Sequence, residues 1–497
     1  MIQTSAEFGT TPDGYGNHTL ANGNVAVLQV EGAVNVRQFG AVGDGVTDDT
    51  VSLRTAWSYG GSSNLEVQHT SGKYLVTELI SIDVGSGNSI VLTGSFSDLC
   101  EIKLNTGGDG VHLNITGSWW GEFSSVSGAG VKLSGIRFTS NNVHTGVGVK
   151  IIGDSVQGRP RVPIILDELQ FSSNAGISQA WSTATEIVDA GMVSISACKW
   201  VMGNGSLGDG LYIRGTEQAT SPVHFKIVNC EFTYGDRQVR IGNYVEGVYI
   251  TNTTLIAANY GVHFHPIAGE SGLHVSNSHI ASKVSCISVN NVFDVNITGN
   301  LLYRSTNTVA HEAINMFLSG RVSITGNVFK GNNDSTFSET AIKLDNFIAG
   351  SLEGSIISGN SFHSYASRAI WLTSTANAIM VGTNSYRNCN VWVLNQSASK
   401  SITVAPSFKT TRIVSLVGGN TTETFTIPIP EGVFRIKPES GFINGSGSNS
   451  MLIGTYNEAV STATLASFTV RLTNGGIIPA GANRVSVHLF NSDNSTF

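Results

Sequence analysis

The sequence predicts an all-β chain: a single-stranded parallel β-helix, a solenoid of short stacked strands, followed by a β-sandwich-like module. Three observations predict it. A short phrase recurs through the middle of the chain, clearest as Ile297-Thr298-Gly299-Asn300-Leu301-Leu302, Ile324-Thr325-Gly326-Asn327-Val328-Phe329 and Ile357-Ser358-Gly359-Asn360-Ser361-Phe362. Aligned on its fourth position, the phrase and its looser copies fall at 198, 230, 253, 278, 300, 327 and 360, in steps of 22 to 33 residues. A period of that size carried by short alternating apolar runs belongs to a solenoid of strands rather than helices. Composition agrees: 57 of 497 residues are Gly and only 13% are charged, as a turn-rich β surface requires.

The phrase itself describes a strand turning a corner. Gly and Asn tolerate the left-handed backbone such a corner needs, and small or amide side chains at equivalent corners can stack from coil to coil. The unequal spacing means fixed strands with loops of varying length between them, and function is expected on that coil surface and its loops.

Taken in order, residues 1–33 read as a neck or linker, with a turn at Pro12-Asp13-Gly14. Asn35 to Gly45 reads as strand and Gly-rich loop, with Thr47 or Asp48 capping a helix from about Asp49 to Trp57 that covers the first coil. Asp44, Asp48 and Asp49 are read as loop and capping residues rather than metal ligands. The β-helix spans 34–400, and Gly110-Val111-His112-Leu113-Asn114 and Gly148-Val149-Lys150-Ile151 are among its less regular strands. Trp119-Trp120 suits either a sugar platform or a wedge between chains. Beyond 400 the repeat gives way to alternating runs such as Thr424–Pro428, Gly432–Ile436, Ala466–Leu472 and Arg484–Phe490, an antiparallel module for trimerisation or carbohydrate binding.

Charge and cysteine usage exclude several classes. With 28 Lys and Arg against 35 Asp and Glu, and no basic run, a nucleic-acid partner is not expected. The five Cys are scattered without zinc spacing and are read as small, buried and reduced. Met1 to Thr10 lacks the character of a secretory signal, and no stretch approaches the length of a membrane span. No cofactor or metal is implied.

Phe39-Gly40-Ala41-Val42-Gly43-Asp44-Gly45-Val46-Thr47-Asp48-Asp49-Thr50 resembles the opening signature of the pectate-lyase-like superfamily of right-handed β-helices. With the coils downstream, the resemblance covers roughly 34–400 and implies fold more than activity. The Asn-Thr-Asp, Gly-Asp-Asp and Gly-His-Gly motifs of polygalacturonases are absent, and the one Arg-Ile-Lys, Arg435-Ile436-Lys437, lies beyond the coils. The polygalacturonase site is therefore not carried over. The arrangement of short neck, β-helix and β-rich tail is similar to bacteriophage tailspike depolymerases. That similarity implies a homotrimer joined to other phage tail proteins through its N-terminus, located on the virion and acting at the host surface. It also implies binding, and usually cleavage, of capsule or O-antigen polysaccharide.

Period-2 alternation exposes a candidate site. After the corner phrase each coil has a further strand, often introduced by Gly or Ala, whose outward residues read Tyr212, Arg214, Arg240, His263, His265, Ser288, Asn290, Asn315, Phe317, Lys343, Asp345 and Trp371. Rings interleaved with Arg, His, Asn and Lys suit a long polysaccharide, the rings stacking on sugar faces. The same face also suits packing against a sister chain. Acids stand beside it: Glu312 and Glu339 enter consecutive strands with Asp345 nearby, and Asp209 and Asp236 do the same earlier. Coils stack about 4.8 Å apart, so carboxyls on adjacent coils approach the about 5–5.5 Å of a retaining glycosidase, and a skipped coil approaches the inverting separation. Glu312, Glu339 and Asp345, beside the longest coil loops, stand first as catalytic candidates, and Asp209 with Asp236 second. A lyase using His, Arg, Lys or Tyr of the same column, and an adhesin that binds without cleaving, remain open.

Overall fold

The computed structural model describes residues 32–396 except 86, 116–129, 141–145, 154–162, 174–180, 204–206, 219–221, 307, 334, 346–354 and 374–378, together with the backbones of strands nearer both ends. Trp119 and Trp120 lie outside the described residues. The chain divides into two compact units, Met1–Asn296 and Ile297–Phe497.

In the first unit each turn of chain contributes one strand to each of several parallel rows. The first row runs Ala33–Asn35, Glu66–His69, Ile90–Gly94, Val131–Ser134, Ile164–Asp167, Val193–Ser196, Val223–Val228, Glu246–Thr251 and Glu270–Ser276. The second includes Arg137–Ser140, Gln170–Ser173, Lys199–Val201 and Glu231–Thr233. The third includes Val111–Ile115, Val147–Ile152, Thr183–Val188, Asp209–Arg214 and Arg237–Ile241. Thr254–Phe264 and His279–Asn290 run through both the second and third rows as single long strands, with register shifts between Ile256 and Tyr260. This is a parallel β-helix, as the repeat predicts.

The second unit repeats the plan. Its rows are Gly320–Thr325, Ser355–Ser358, Ile379–Val381 and Thr403–Val404; Leu301–Arg304, Val328–Lys330, Ser361–His363 and Ser385–Arg387; and His311–Phe317, Glu339–Asp345, Arg368–Leu372 and Val391–Asn395. From Phe408 the pairing turns antiparallel. Gly481–Phe490 pairs with Phe408–Leu416 and Arg435–Ile436, and Leu465–Leu472 pairs with Thr422–Pro428 and Leu452–Tyr456.

The corner phrase does what its residues allow. Its third position is left-handed in coil after coil, at φ 69° in Gly299, 67° in Gly326, 68° in Gly359, 56° in Asn229, 50° in Asn252 and 49° in Asn277. Its fourth position builds an asparagine ladder. Asn300 Nδ2 donates to Asn327 Oδ1, Asn327 Nδ2 to Asn360 Oδ1 and Asn360 Nδ2 to Asn384 Oδ1, each at 3.0 Å. An amide can donate and accept at once, so each buried Asn satisfies the next. Its sixth position builds the core: Phe138, Phe171, Trp200 and Phe232 stack in sequence at centroid distances of 5.3, 5.5 and 4.3 Å. Phe329, Phe362, Tyr386 and Trp392 stack likewise in the second unit. All five cysteines are buried and none forms a disulfide.

The helix differs from expectation at both ends. Asp44–Asp48 is a strand, and helix α1 runs Thr50–Ser63 with Asp49 as the N-cap residue. Asp49 does not cap through its side chain; its carboxylate instead accepts the Val42 and Gly43 N–H groups at 2.6 and 3.1 Å, while Asp48 Oδ1 takes the Thr50 N–H at 3.0 Å. Asp44 accepts the Val46 and Thr47 N–H groups, which lower its pKa. The helix continues past Trp57 because Gly60 lets it approach the strand Glu66–His69, where a Cβ would stand 2.2 Å from Val67 Cγ2. Leu53, Ala56 and Trp57 are buried beneath it.

Candidate functional site

The outward residues of the third row form two separate clusters, one in each unit. In the first, register places Lys150, Glu186, Tyr212, Arg240, His263 and Ser288 side by side on successive strands. Glu186 is buried and binds Lys150 Nζ at 3.2 Å and Arg214 Nε at 2.7 Å. Asp209 is 2% exposed and receives Arg237 Nε at 2.6 Å and Arg240 Nη1 at 3.0 Å. Burial pushes the Asp209 carboxyl above its ordinary pKa, against the pull of the two guanidiniums. Asp236 accepts Asn259 Nδ2 at 2.7 Å and lies 3.4 Å from Arg237 Nε. Arg240 lies over the Tyr212 ring, 4.1 Å from its centroid.

Two histidines complete this cluster. His263 and His265 stack at 3.8 Å between centroids, and His265 Nε2 is hydrogen-bonded to Ser288 Oγ at 2.8 Å. Desolvation, with the neighbouring His265, Arg237 and Arg240, lowers the His263 pKa to about 3. His265 falls to about 4 through desolvation and Arg237. Both rings are therefore uncharged at neutral pH, and His263 Nδ1 is buried without a hydrogen-bond partner among the described residues.

In the second unit Glu312, Asn315, Phe317, Lys343, Asp345 and Trp371 share one surface of the row. Lys343 Nζ lies 3.1 Å from Glu312 Oε1 and 4.0 Å from Asp345 Oδ2. The two oxygens thus stand no more than about 7 Å apart, an upper bound that admits the about 5–5.5 Å of a retaining glycosidase. Both carboxylates are accessible, with side chains 26% and 34% exposed. Thr373 Oγ1 donates to Asp345 Oδ1 at 2.7 Å. Trp371 is fixed by its Nε1 bond to Gln396 Oε1 at 3.0 Å, with Lys343 Nζ and the Arg368 guanidinium 5.0 and 4.3 Å from its ring.

The sequence-selected residues therefore fare unequally. Tyr212, Arg214, Arg240, His263, His265, Asn290, Asn315, Phe317, Lys343, Asp345 and Trp371 do reach the outward surface, partly or fully exposed. Ser288 does not: it is 3% exposed, with His265 hydrogen-bonded to its hydroxyl. Glu339 is the principal correction. It is 0% exposed, and both its oxygens accept the Asn332 N–H at 3.0 and 3.2 Å, so it holds a loop rather than facing a substrate. Asp209 is likewise enclosed by its arginines. The pairings Glu312 with Glu339 and Asp209 with Asp236 are not pairs of open acids; Glu312 with Asp345 is. Sequence reasoning passed over Lys150, Glu186, Arg237 and Arg368. Extending the alternation upstream from Tyr212 finds Lys150 and Glu186, whereas Arg237 and Arg368 sit at strand entrances where alternation has not begun.

Among the described residues no group of three His, Cys, Asp or Glu side chains is arranged to hold a metal ion. No protein-family model matches the chain, and no curated protein sequence matches it. Solved structures similar to it include phage tailspikes and a polysaccharide-acting enzyme. Bacteriophage CBA120 tailspike protein 3 is 16% identical with a TM-score of 0.47, over 75% of this chain and 57% of that one. The tailspike gp49 of Acinetobacter baumannii bacteriophage Fri1, a capsular polysaccharide depolymerase, is 13% identical with a TM-score of 0.40, over 99% of this chain and 91% of that one. The Azotobacter vinelandii mannuronan C-5 epimerase AlgE6 A-module is 13% identical with a TM-score of 0.42, over 75% of this chain and 99% of that one. At these values the likeness carries no inference about activity.

Proposed function

We propose that the chain is a phage tailspike that binds bacterial surface polysaccharide along the outward third row and cleaves it by endo-glycosidic hydrolysis, with Glu312 and Asp345 as the acid pair. One observation carries the choice of residues: two accessible carboxylates gathered about Lys343 beside the Trp371 ring. Trp371 offers a stacking face for a sugar, and Asn315, Lys343 and Arg368 offer hydrogen bonds to hydroxyls or acidic substituents.

In this reading Asp345, held by Thr373 as well as Lys343, is the ionised partner that attacks the anomeric carbon or activates water. Glu312, on the other side of Lys343, is the general acid that protonates the glycosidic oxygen. Assembly as a homotrimer, attachment to the phage tail through the N-terminus and action at the host surface belong to the same proposal. They rest on the opening signature and the β-helix.

Glu312→Gln and Asp345→Asn should each lower reducing-end release from host polysaccharide by about 10²-fold or more while binding survives. Asp209→Asn and Asp236→Asn are the controls. Full activity in both Glu312→Gln and Asp345→Asn overturns the assignment. A lyase is the second reading, and its observation is geometric: the stacked His263 and His265 on the row that carries Arg240 over the Tyr212 ring. There His263 would remove the proton next to a uronate carboxylate as the glycosidic bond breaks, leaving an unsaturated product with ultraviolet absorbance. Binding with neither product signal identifies an adhesin.

A further inference from the structure

The third row is not the only candidate binding surface. On the second row of the second unit an open cleft of about 360 Å³ is lined by Leu301, Val328, Lys330, His363, Arg387 and Asn388, with Ser364 beside them. Register puts Lys330, His363 and Arg387 directly beside one another on consecutive strands, and Leu301 beside Val328. Three basic side chains thus stand in one column, about 4.8 Å apart at the backbone.

The lysine and arginine of this column have no carboxylate partner among the described residues. Among the described residues no Asp or Glu lines the cleft and neither Lys330 nor Arg387 makes an ion pair. The contrast is with the third row, where Lys150, Arg214, Arg237, Arg240 and Lys343 each hold a carboxylate. A lysine and an arginine without a described carboxylate partner, on a chain of net charge -7, are suited to an anion brought by a ligand. The cleft's other wall says what kind. Leu301 and Val328 are 38% and 41% exposed, an apolar strip that an inorganic ion does not need and the C–H face of a sugar ring does. His363 is held by Ser361 Oγ at 2.8 Å, which fixes its ring in the column.

We infer that this cleft is a second saccharide site, distinct from the third row, which takes a carboxylate-bearing sugar with the acid between Lys330 and Arg387 and the ring against Leu301 and Val328. The inference takes the class of its ligand from the polysaccharide reading but does not depend on Glu312 or Asp345.

The test is calorimetric binding of a glucuronic acid hexamer, with maltohexaose as the neutral comparison, to the full chain and to four variants: Lys330→Gln, Arg387→Gln, Trp371→Ala and the double variant Glu312→Gln/Asp345→Asn. Lys330 and Arg387 are exposed, so both single variants should melt like the parent. Each should lose about tenfold or more in affinity for the hexamer, the worth of one charge-assisted hydrogen bond, while the double variant binds normally. Unchanged affinity in both single variants, with loss in Trp371→Ala, overturns this inference and leaves the polysaccharide reading standing. Equal binding of maltohexaose, or displacement of the hexamer by inorganic phosphate at equal potency, overturns the ligand class. No saturable binding of the hexamer by the parent chain overturns the site, while the reducing-end assay still reports separately on the third row.

Discussion

Replacing Asn327 by Ala tests the asparagine ladder that closes the corners. Asn327 is fully buried; its Oδ1 accepts the Asn300 backbone N–H at 2.9 Å and Asn300 Nδ2 at 3.0 Å. Its Nδ2 donates to Ile297 O at 2.9 Å, Thr325 O at 3.2 Å and Asn360 Oδ1 at 3.0 Å. Alanine removes the acceptor that Asn300 N–H and Nδ2 share and the donor to neighbouring carbonyls. A buried polar group deprived of its partner costs about 1–3 kcal/mol, so the Asn300 backbone N–H alone implies a loss of about that size. Because each coil is supported mainly by its neighbours, the loss should appear as a lower denaturation midpoint in urea, followed by circular dichroism and tryptophan fluorescence. Val328→Ala, next along the chain but 41% exposed, should fall within about 0.5 kcal/mol of the parent. A loss below about 1 kcal/mol in Asn327→Ala would show that the ladder decorates corners set by the left-handed glycines alone.

Ile324 is 0% exposed, so Ile324→Asp places an unpaired charge in the solenoid interior and should cost several kcal/mol; parent-like melting contradicts the inward register. His69 accepts the Trp57 indole N–H at 2.9 Å, and desolvation lowers its pKa from 6.5 to about 4. It stays neutral in the fold while the unfolded chain takes up a proton below 6.5, so stability drops as pH falls from about 6.5 to 4, by up to about 3 kcal/mol from this group. His69→Gln should flatten the melting temperature across that window, and an unchanged slope rejects the role. Glu339→Gln should lower stability through the Asn332 contact without a selective loss of turnover per folded molecule; a large turnover defect in a well-folded variant returns Glu339 to the active site. Light scattering of the native chain should give a trimer, and a single-chain mass near 52.4 kDa counts against trimeric assembly.

The recurring phrase determined the architecture by itself. Its third position demands a backbone that Gly and Asn tolerate, its fourth an amide or small polar group, its sixth an inward ring, and these are local requirements readable from residue type. The outward column followed for the same reason: alternation in an extended strand is a local geometric fact, and Tyr212, His263, Lys343 and Trp371 lie where it puts them. What only the tertiary structure decided is which charges remain available. Asp209 and Glu312 look equivalent in the sequence, each an acid at the entrance to a strand. Asp209 is enclosed by Arg237 and Arg240 from the next coil, while Glu312, itself partly exposed, shares one half-buried lysine with Asp345. Glu339 looked open until the Gly331–Asn332 loop closed over it. The column of Lys330, His363 and Arg387 likewise takes shape only when strands 24 to 33 residues apart come into register. Periodicity fixes where a side chain points, but its partners come from coils separated by loops of irregular length. The electrostatics that govern a site are therefore settled only by the folded stack.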